Sequence, residues 1–160
     1  NELKYKIPAN EAVLLKFMTD KNKSGRFEFN LNMNGHKTNF GLLSLYGKHK
    51  QSIVNNKNSQ KVKINLVLNV NIEELPDWID FHNERDSKTL KKNIQNSISS
   101  EAEKLLISFQ KNQVDPIGIG RIYGAKHKKW TEKDFYENVY PNLKFEVQTK
   151  IIFRQVGVGK

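Results

Sequence analysis

The chain has 160 residues, enough for one domain with a substantial core and too few for two comfortable ones. It is 37% hydrophobic and 28% charged, and its long alternating apolar segments argue against disorder. The absence of cysteine excludes disulfides, thiolate metal sites and a cysteine nucleophile. The formal net charge of +10 is uneven: residues 1–70 hold 12 Lys/Arg against 4 Asp/Glu, and residues 71–160 hold 15 against 13. No acid falls between Phe29 and Ile72, whereas Lys37, Lys48, Lys50, Lys57, Lys61 and Lys63 all do. Such a surface attracts polyanions, whether nucleic acid, anionic lipid or an acidic protein. A solvated Lys/Asn face is the plainer reading, preferred until a fold presents the lysines together. No segment approaches the roughly 18 consecutive apolar residues of a membrane-spanning helix. Asn1–Tyr5 lacks the apolar core of a signal peptide, and the chain begins without Met. The expectation is therefore an excised piece or a processed product of a longer protein, with any targeting signal outside it.

The first predicted element is a helix over Asn10–Met18, with Val13, Leu14, Phe17 and Met18 on its buried side. Phe27, Phe29, Leu31 and Met33 then alternate with Glu28, Asn30, Asn32 and Asn34, the period of a half-buried strand. Asn34-Gly35 signals a hairpin into a further strand between Phe40 and Val54, where Leu42-Leu43 and Gly47 suggest a bulge or bend. Asn55–Ser59 supplies a polar turn. The third strand is the clearest, with Val62, Ile64, Leu66, Leu68, Val70 and Ile72 alternating with polar residues. These three strands should form an antiparallel meander.

A helix of roughly 25 residues follows, capped by Asp86 or Ser87. Leu90, Ile94, Ile98, Ala102, Leu105, Leu106 and Phe109 form its apolar stripe, and Asp115-Pro116 is expected to stop it. Thr131 caps a shorter helix that Pro141 ends, and the closing strand turns Leu143, Phe145, Val147, Ile151 and Phe153 inward. Lys144, Glu146, Gln148, Lys150 and Arg154 face outward. The fold class is α+β: an antiparallel or mixed sheet of about four strands, with a long helix and shorter helices packed on one face.

Catalytic patterns are missing. The four histidines, His36, His49, His82 and His127, have no zinc spacing. Asp77, Asp80, Glu84 and Asp86 cluster around His82, but without the glycine turn and terminal Glu of a calcium loop, and acids ahead of a helix favour its dipole. No metal or cofactor is expected. There is no nucleophile elbow and no Walker-type lysine loop. Gly118-Ile119-Gly120 follows a helix rather than a parallel strand, so it reads as a tight connection, not a dinucleotide loop. Arg121–Trp130 interleaves bases with aromatics, the mixture that binds single-stranded nucleic acid. Tyr123 and Trp130 nevertheless flank a helix–sheet junction, where aromatics belong to the core.

The C-terminal half carries a specific series of residues. A long helix ends at Asp115-Pro116-Ile117-Gly118-Ile119-Gly120, and an aromatic, basic stretch leads to Trp130, Phe135-Tyr136 and Val139-Tyr140-Pro141-Asn142. A closing strand then runs to Arg154 and Gly157. This order resembles the C-terminal domain of the Ger(x)C lipoproteins, the C subunits of bacterial spore germinant receptors. In that family the helix ends at a motif like Asp-Pro-Phe-Gly-Phe-Gly, followed by spaced tryptophans and a Phe-Pro. Here Ile117 and Ile119 replace aromatics, Phe135-Tyr136 stands where another tryptophan is usual, and Tyr140 precedes the proline.

The resemblance implies that residues 1–160 are the last domain of a larger lipoprotein, whose signal and lipid-anchored cysteine lie outside this chain. It implies a place on the outer face of the spore inner membrane, beside two integral-membrane subunits, A and B, in a nutrient-sensing receptor. It implies no catalysis and no cofactor. Asp115, Pro116, Gly118, Gly120, Trp130 and Pro141 are the motif residues, expected to shape the backbone or the core. Lys48, Lys50, Lys61 and Lys63 are the candidate contacts for lipid headgroups or an acidic partner, each lysine near such a surface contributing on the order of 1 kcal/mol. A soluble nucleic-acid-binding module and a small-molecule-binding α+β domain are the alternatives. The isolated domain is expected to be monomeric.

Overall fold

The alternation that runs through the N-terminal half builds a sheet with one apolar side. The computed structural model describes residues 9–19, 23–33, 36–56 and 59–155. After helix α1 (Ala9–Thr19) come β1 (Lys23–Met33), β2 (His36–Asn56) and β3 (Ser59–Glu74), paired in sequence as an antiparallel meander. The anticipated turn residues Asn34-Gly35, and Lys57-Asn58 of the following turn, lie outside the described residues. The expected bulge falls between Leu42 and Leu43, which pair with Glu74 and Ile72 and leave Glu73 extra in β3.

Helix α2 spans Glu84–Lys111 and starts earlier than its apolar stripe suggests. Its cap is Asn83, whose Oδ1 accepts from the backbone N–H groups of Arg85 (2.9 Å) and Asp86 (3.2 Å). It also ends before the proline, at Asn112, and Gln113 then takes φ 58°. All seven apolar stripe residues are buried against the sheet. A helix absent from the sequence-based expectation, α3 (Ile119–Lys126), follows. Next comes α4 (Glu132–Asp134), which runs on through a π turn (Phe135–Val139) and a 3-10 turn (Tyr140–Asn142). Thr131 caps α4 as expected, its Oγ1 accepting from Asp134 N.

Strand β4 (Lys144–Gln155) adds to β3 in parallel, so the four-stranded sheet is mixed, in the order β1-β2-β3-β4. Parallel neighbours need a long crossover, and α2 with the segment after it provides one. An edge strand must also satisfy its outward backbone groups. Here Gln95 and Glu103 of α2 do this, and Ser99, midway between them, meets a β4 side chain. Glu103 Oε1 accepts from Val147 N (3.0 Å), Ser99 Oγ meets Thr149 Oγ1 (2.8 Å), and Gln95 Oε1 accepts from Ile151 N (3.1 Å). Among the described residues, every buried side chain of β1–β4 lies on the side facing the helices, and one contiguous core results.

Candidate functional site

Because Leu43, Leu45, Ile53, Val62, Ile64 and Leu66 face the helices, the intervening residues of β2 and β3 stand on the opposite side of the sheet. All four lysines singled out in the sequence are among them. Strand register arranges them in cross-strand rows: Lys48–Val67–Lys150, Lys50–Asn65–Gln148, Ser52–Lys63–Glu146 and Val54–Lys61–Lys144. Lys48 and Lys50 are exposed, and Lys61 and Lys63 are half-buried by their neighbours. Tyr46, beside the first row, is 51% exposed.

Few counter-charges answer them. Glu146 Oε1 lies 3.8 Å from Lys61 Nζ, and Glu73 is taken by Arg26 at 3.4 Å. Lys48, Lys50, Lys63, Lys144 and Lys150 make no ion pair among the described residues. Lys144 and Lys150 belong to this site although the sequence did not single them out. Their outward alternation was visible, but not that β4 lies alongside β3.

The motif residues assemble elsewhere, in the lobe between α2 and β4. Asp115 Oδ1 accepts from Ile119 N (2.9 Å), and its Oδ2 accepts from Gly120 N (2.9 Å) and the Tyr136 hydroxyl (2.8 Å). The carboxylate thus caps α3 and ties it to the π turn. Gly118 takes φ 74°, a conformation that costs glycine little. A Cβ on Gly120 would stand 2.5 Å from the Tyr136 hydroxyl, so glycine there lets the tyrosine reach Asp115. Burial, reinforced by the hydrogen bond to Asp115, raises the Tyr136 phenol well above its ordinary pKa and keeps it a donor. Burial does the same for Tyr140, whose hydroxyl donates to Val114 O at 2.6 Å.

Pro141 sits at the start of the 3-10 turn, where its fixed φ suits the tight backbone, and Pro116 is exposed. Gln110 Nε2 donates to Tyr140 O (2.7 Å) and Leu143 O (2.9 Å), binding that turn to α2. Trp130 is half-buried, packed on the core and edge-on to Phe135 at 6.3 Å, and its indole occupies the space a side chain at Gly124 would need. Asp115, Gly118, Gly120 and Trp130 thus serve the internal packing of the lobe, while Pro141, itself exposed, serves through its backbone.

The stretch from Arg121 to Trp130 divides by chemistry. Tyr123 stacks on His127 at 3.9 Å and tilts against Phe135, so the aromatics turn into the lobe, while Arg121, Lys126, Lys128 and Lys129 are exposed. The acids around His82 serve the entry to α2: Asp80 Oδ1 accepts from His82 N, and Glu84 pairs with Lys88 at 2.9 Å. No group of three His, Asp or Glu side chains able to hold a metal occurs among the described residues. No described helix is long and apolar enough to cross a membrane.

Residues 1–157 match the family described as "Spore germination B3/ GerAC like, C-terminal". The chain belongs to that family. A relative from Bacillus cereus, spore germination protein GerQC, is 24% identical over 153 residues, which cover 96% of this chain and 42% of the relative. The crystal structure of the GerBC protein superposes with a TM-score of 0.67 at 12% identity, over 93% of this chain and 46% of that one. The mixed α+β fold is therefore shared, and the chain spans less than half the length of these relatives. Within this spore-germination domain, the Asp115-Pro116-x-Gly118-x-Gly120 signature is a structural unit: an acid capping a helix, a left-handed turn and a glycine that admits a tyrosine.

Proposed function

We propose that this chain is the C-terminal, non-catalytic interaction domain of a spore germinant receptor C subunit, and that it contributes to receptor assembly and to nutrient-triggered germination. The observation that carries this reading is the sheet face turned away from the helices, on which five lysines without an ion pair among the described residues stand in cross-strand rows. A face of that kind is suited to an anionic counter-surface, either an acidic protein patch or a lipid leaflet. In the full protein the domain would sit on the outer face of the spore inner membrane, tethered through a lipid anchor in the preceding part. The integral-membrane A and B subunits would be its neighbours. Lys48, Lys50, Lys61 and Lys63 are the proposed contacts, and the motif residues keep the domain folded.

The test is co-purification of the full-length parent with its membrane partners, comparing wild type, a version lacking residues 1–160, and one with these four lysines changed to Glu. Loss of partners in both altered forms is expected. Equal recovery in all three would exclude an assembly role.

A further inference from the structure

Along the helix-facing side of the β2–β3 hairpin, every cross-strand pair from Leu43–Ile72 to Ile53–Val62 includes at least one apolar side chain, and then the pattern breaks. The next pair is Asn55–Gln60, two carboxamides side by side. They form one wall of a crevice of about 490 Å³, whose other wall comes from the segment leading into β4. That wall presents Asn138 and Asn142, one helical turn apart, with buried Leu143 and exposed Lys144 beside them.

The wall opposite the hairpin is held in place. Asn138 Nδ2 donates to Asp134 Oδ1 (2.8 Å) and Asn142 Nδ2 donates to Asn138 O (2.9 Å), which fixes both carboxamides and leaves each an acceptor oxygen. Asn138 also belongs to the π turn closed by Tyr140 N–H to Phe135 O. Single π turns are rare and concentrate at functional sites. The side chains of Asn55 and Gln60 make no hydrogen bond among the described residues, and Lys144 makes no ion pair there.

We infer that this crevice binds an extended polypeptide segment carrying a carboxylate. A carboxamide offers one donor group and one acceptor, the complement of a peptide group, so opposed carboxamides suit an extended backbone. Among the described lining residues Lys144 is the one that carries a charge, and none is an acid that would oppose an anionic group. A sugar would call for a stacking ring, and none of the described lining residues is aromatic. The volume lies within the range of about 300–1,000 Å³ usual for ligand sites. The crevice shares Lys144 with the lysine rows, but its carboxamides stand on the helix-facing side of the hairpin and none of Lys48, Lys50, Lys61 and Lys63 lines it, so this inference stands apart from the proposed assembly contacts.

The test is a titration of the ¹⁵N-labelled 160-residue chain, followed through its backbone and side-chain amide resonances. The probes are acetyl-triglycine, acetyl-Gly-Asp-Gly amide and acetyl-triglycine amide, which carry a terminal carboxylate, a side-chain carboxylate and none. The expected result is shifts centred on Asn55, Gln60, Asn138 and Asn142, with one of the acidic probes binding about fivefold more tightly than the neutral one. Whichever acidic probe is preferred identifies the source of the carboxylate. Lys144→Gln should remove the preference, and added salt should weaken only the acidic probes. Shifts absent from these four residues with every probe, or a preference that survives both Lys144→Gln and salt, would overturn the inference.

Discussion

In the lobe from Asp115 to Asn142, one carboxylate answers three donors, the Tyr140 hydroxyl holds Val114 O just upstream, and Gln110 binds the 3-10 turn to α2. On the open sheet face, Lys48, Lys50 and Lys63 answer nothing among the described residues. The lobe carries the conspicuous motif and uses it internally. The lysines of the sheet face are spread along the sequence like ordinary solvated surface, yet the fold gathers them into one charged plane. A motif rich in glycine, proline and acid therefore does not mark a site by itself; what counts is whether its polar groups are already satisfied.

The sharpest way to break this contrast is Asp115→Ala, which strands Ile119 N, Gly120 N and the Tyr136 hydroxyl in a half-buried setting. Each such donor left without a partner costs about 1–3 kcal/mol, so a loss of about 3 kcal/mol or more in urea unfolding is expected. A change below about 1 kcal/mol would show that the lobe does not depend on this carboxylate. Asp115→Asn, which keeps an acceptor, should lose roughly half as much.

Next in size is the α2–β4 edge. Glu103→Ala and Gln95→Ala each remove the acceptor for one β4 backbone N–H and should cost about 1 kcal/mol apiece. Together they expose the edge strand, so the double variant should also self-associate in size-exclusion chromatography. If it stays monomeric at wild-type stability, the edge is protected by something else.

How much of this was legible in the sequence differs between elements for physical reasons. Strand β3 declared itself through strict alternation of Val62 to Ile72, and α2 through its stripe from Leu90 to Phe109, because burial of one face imposes the period. Asn83 was not evident as the cap because the first helical turn, from Glu84, is entirely polar and carries no stripe. Helix α3 was hidden because its eight residues include two glycines and it is nucleated from outside by Asp115. Strand pairing leaves little trace in a strand's own pattern, so the parallel docking of β4 was open, and with it the membership of Lys144 and Lys150 in the basic face. The carboxamide crevice was hidden for the same reason, since its walls lie far apart in sequence.

A smaller effect on stability is expected on the sheet face itself. Changing Lys48, Lys50, Lys61 and Lys63 to Glu should shift stability by no more than about 0.5 kcal/mol per site, with Lys61→Glu the largest because it faces Glu146. Co-sedimentation with anionic vesicles, or with an acidic partner, should be lost while the melting temperature stays near wild type. A variant that unfolds would make the face structural after all, and one that binds unchanged would leave the lysines as ordinary solvated side chains.

The smallest effect concerns the contact between α1 and α2. Burial raises the Glu101 carboxyl above its ordinary pKa; a hydrogen bond from Asn10 opposes this, repulsion from Glu11 adds to it, and Lys104 opposes it. Glu11 Oε2 is itself buried without a hydrogen-bond partner among the described residues. A carboxyl with a raised pKa in the folded chain binds its proton more readily there than when unfolded. Its contribution to stability is therefore fully present below the ordinary carboxylate value and is lost as pH rises through the raised one. Glu101→Gln removes that dependence. The variant should be at least as stable as wild type near neutrality, and its advantage should shrink on acidification toward about pH 4, as melting temperatures across that range will read out. A pH slope unchanged by the substitution would leave Glu101 a spectator.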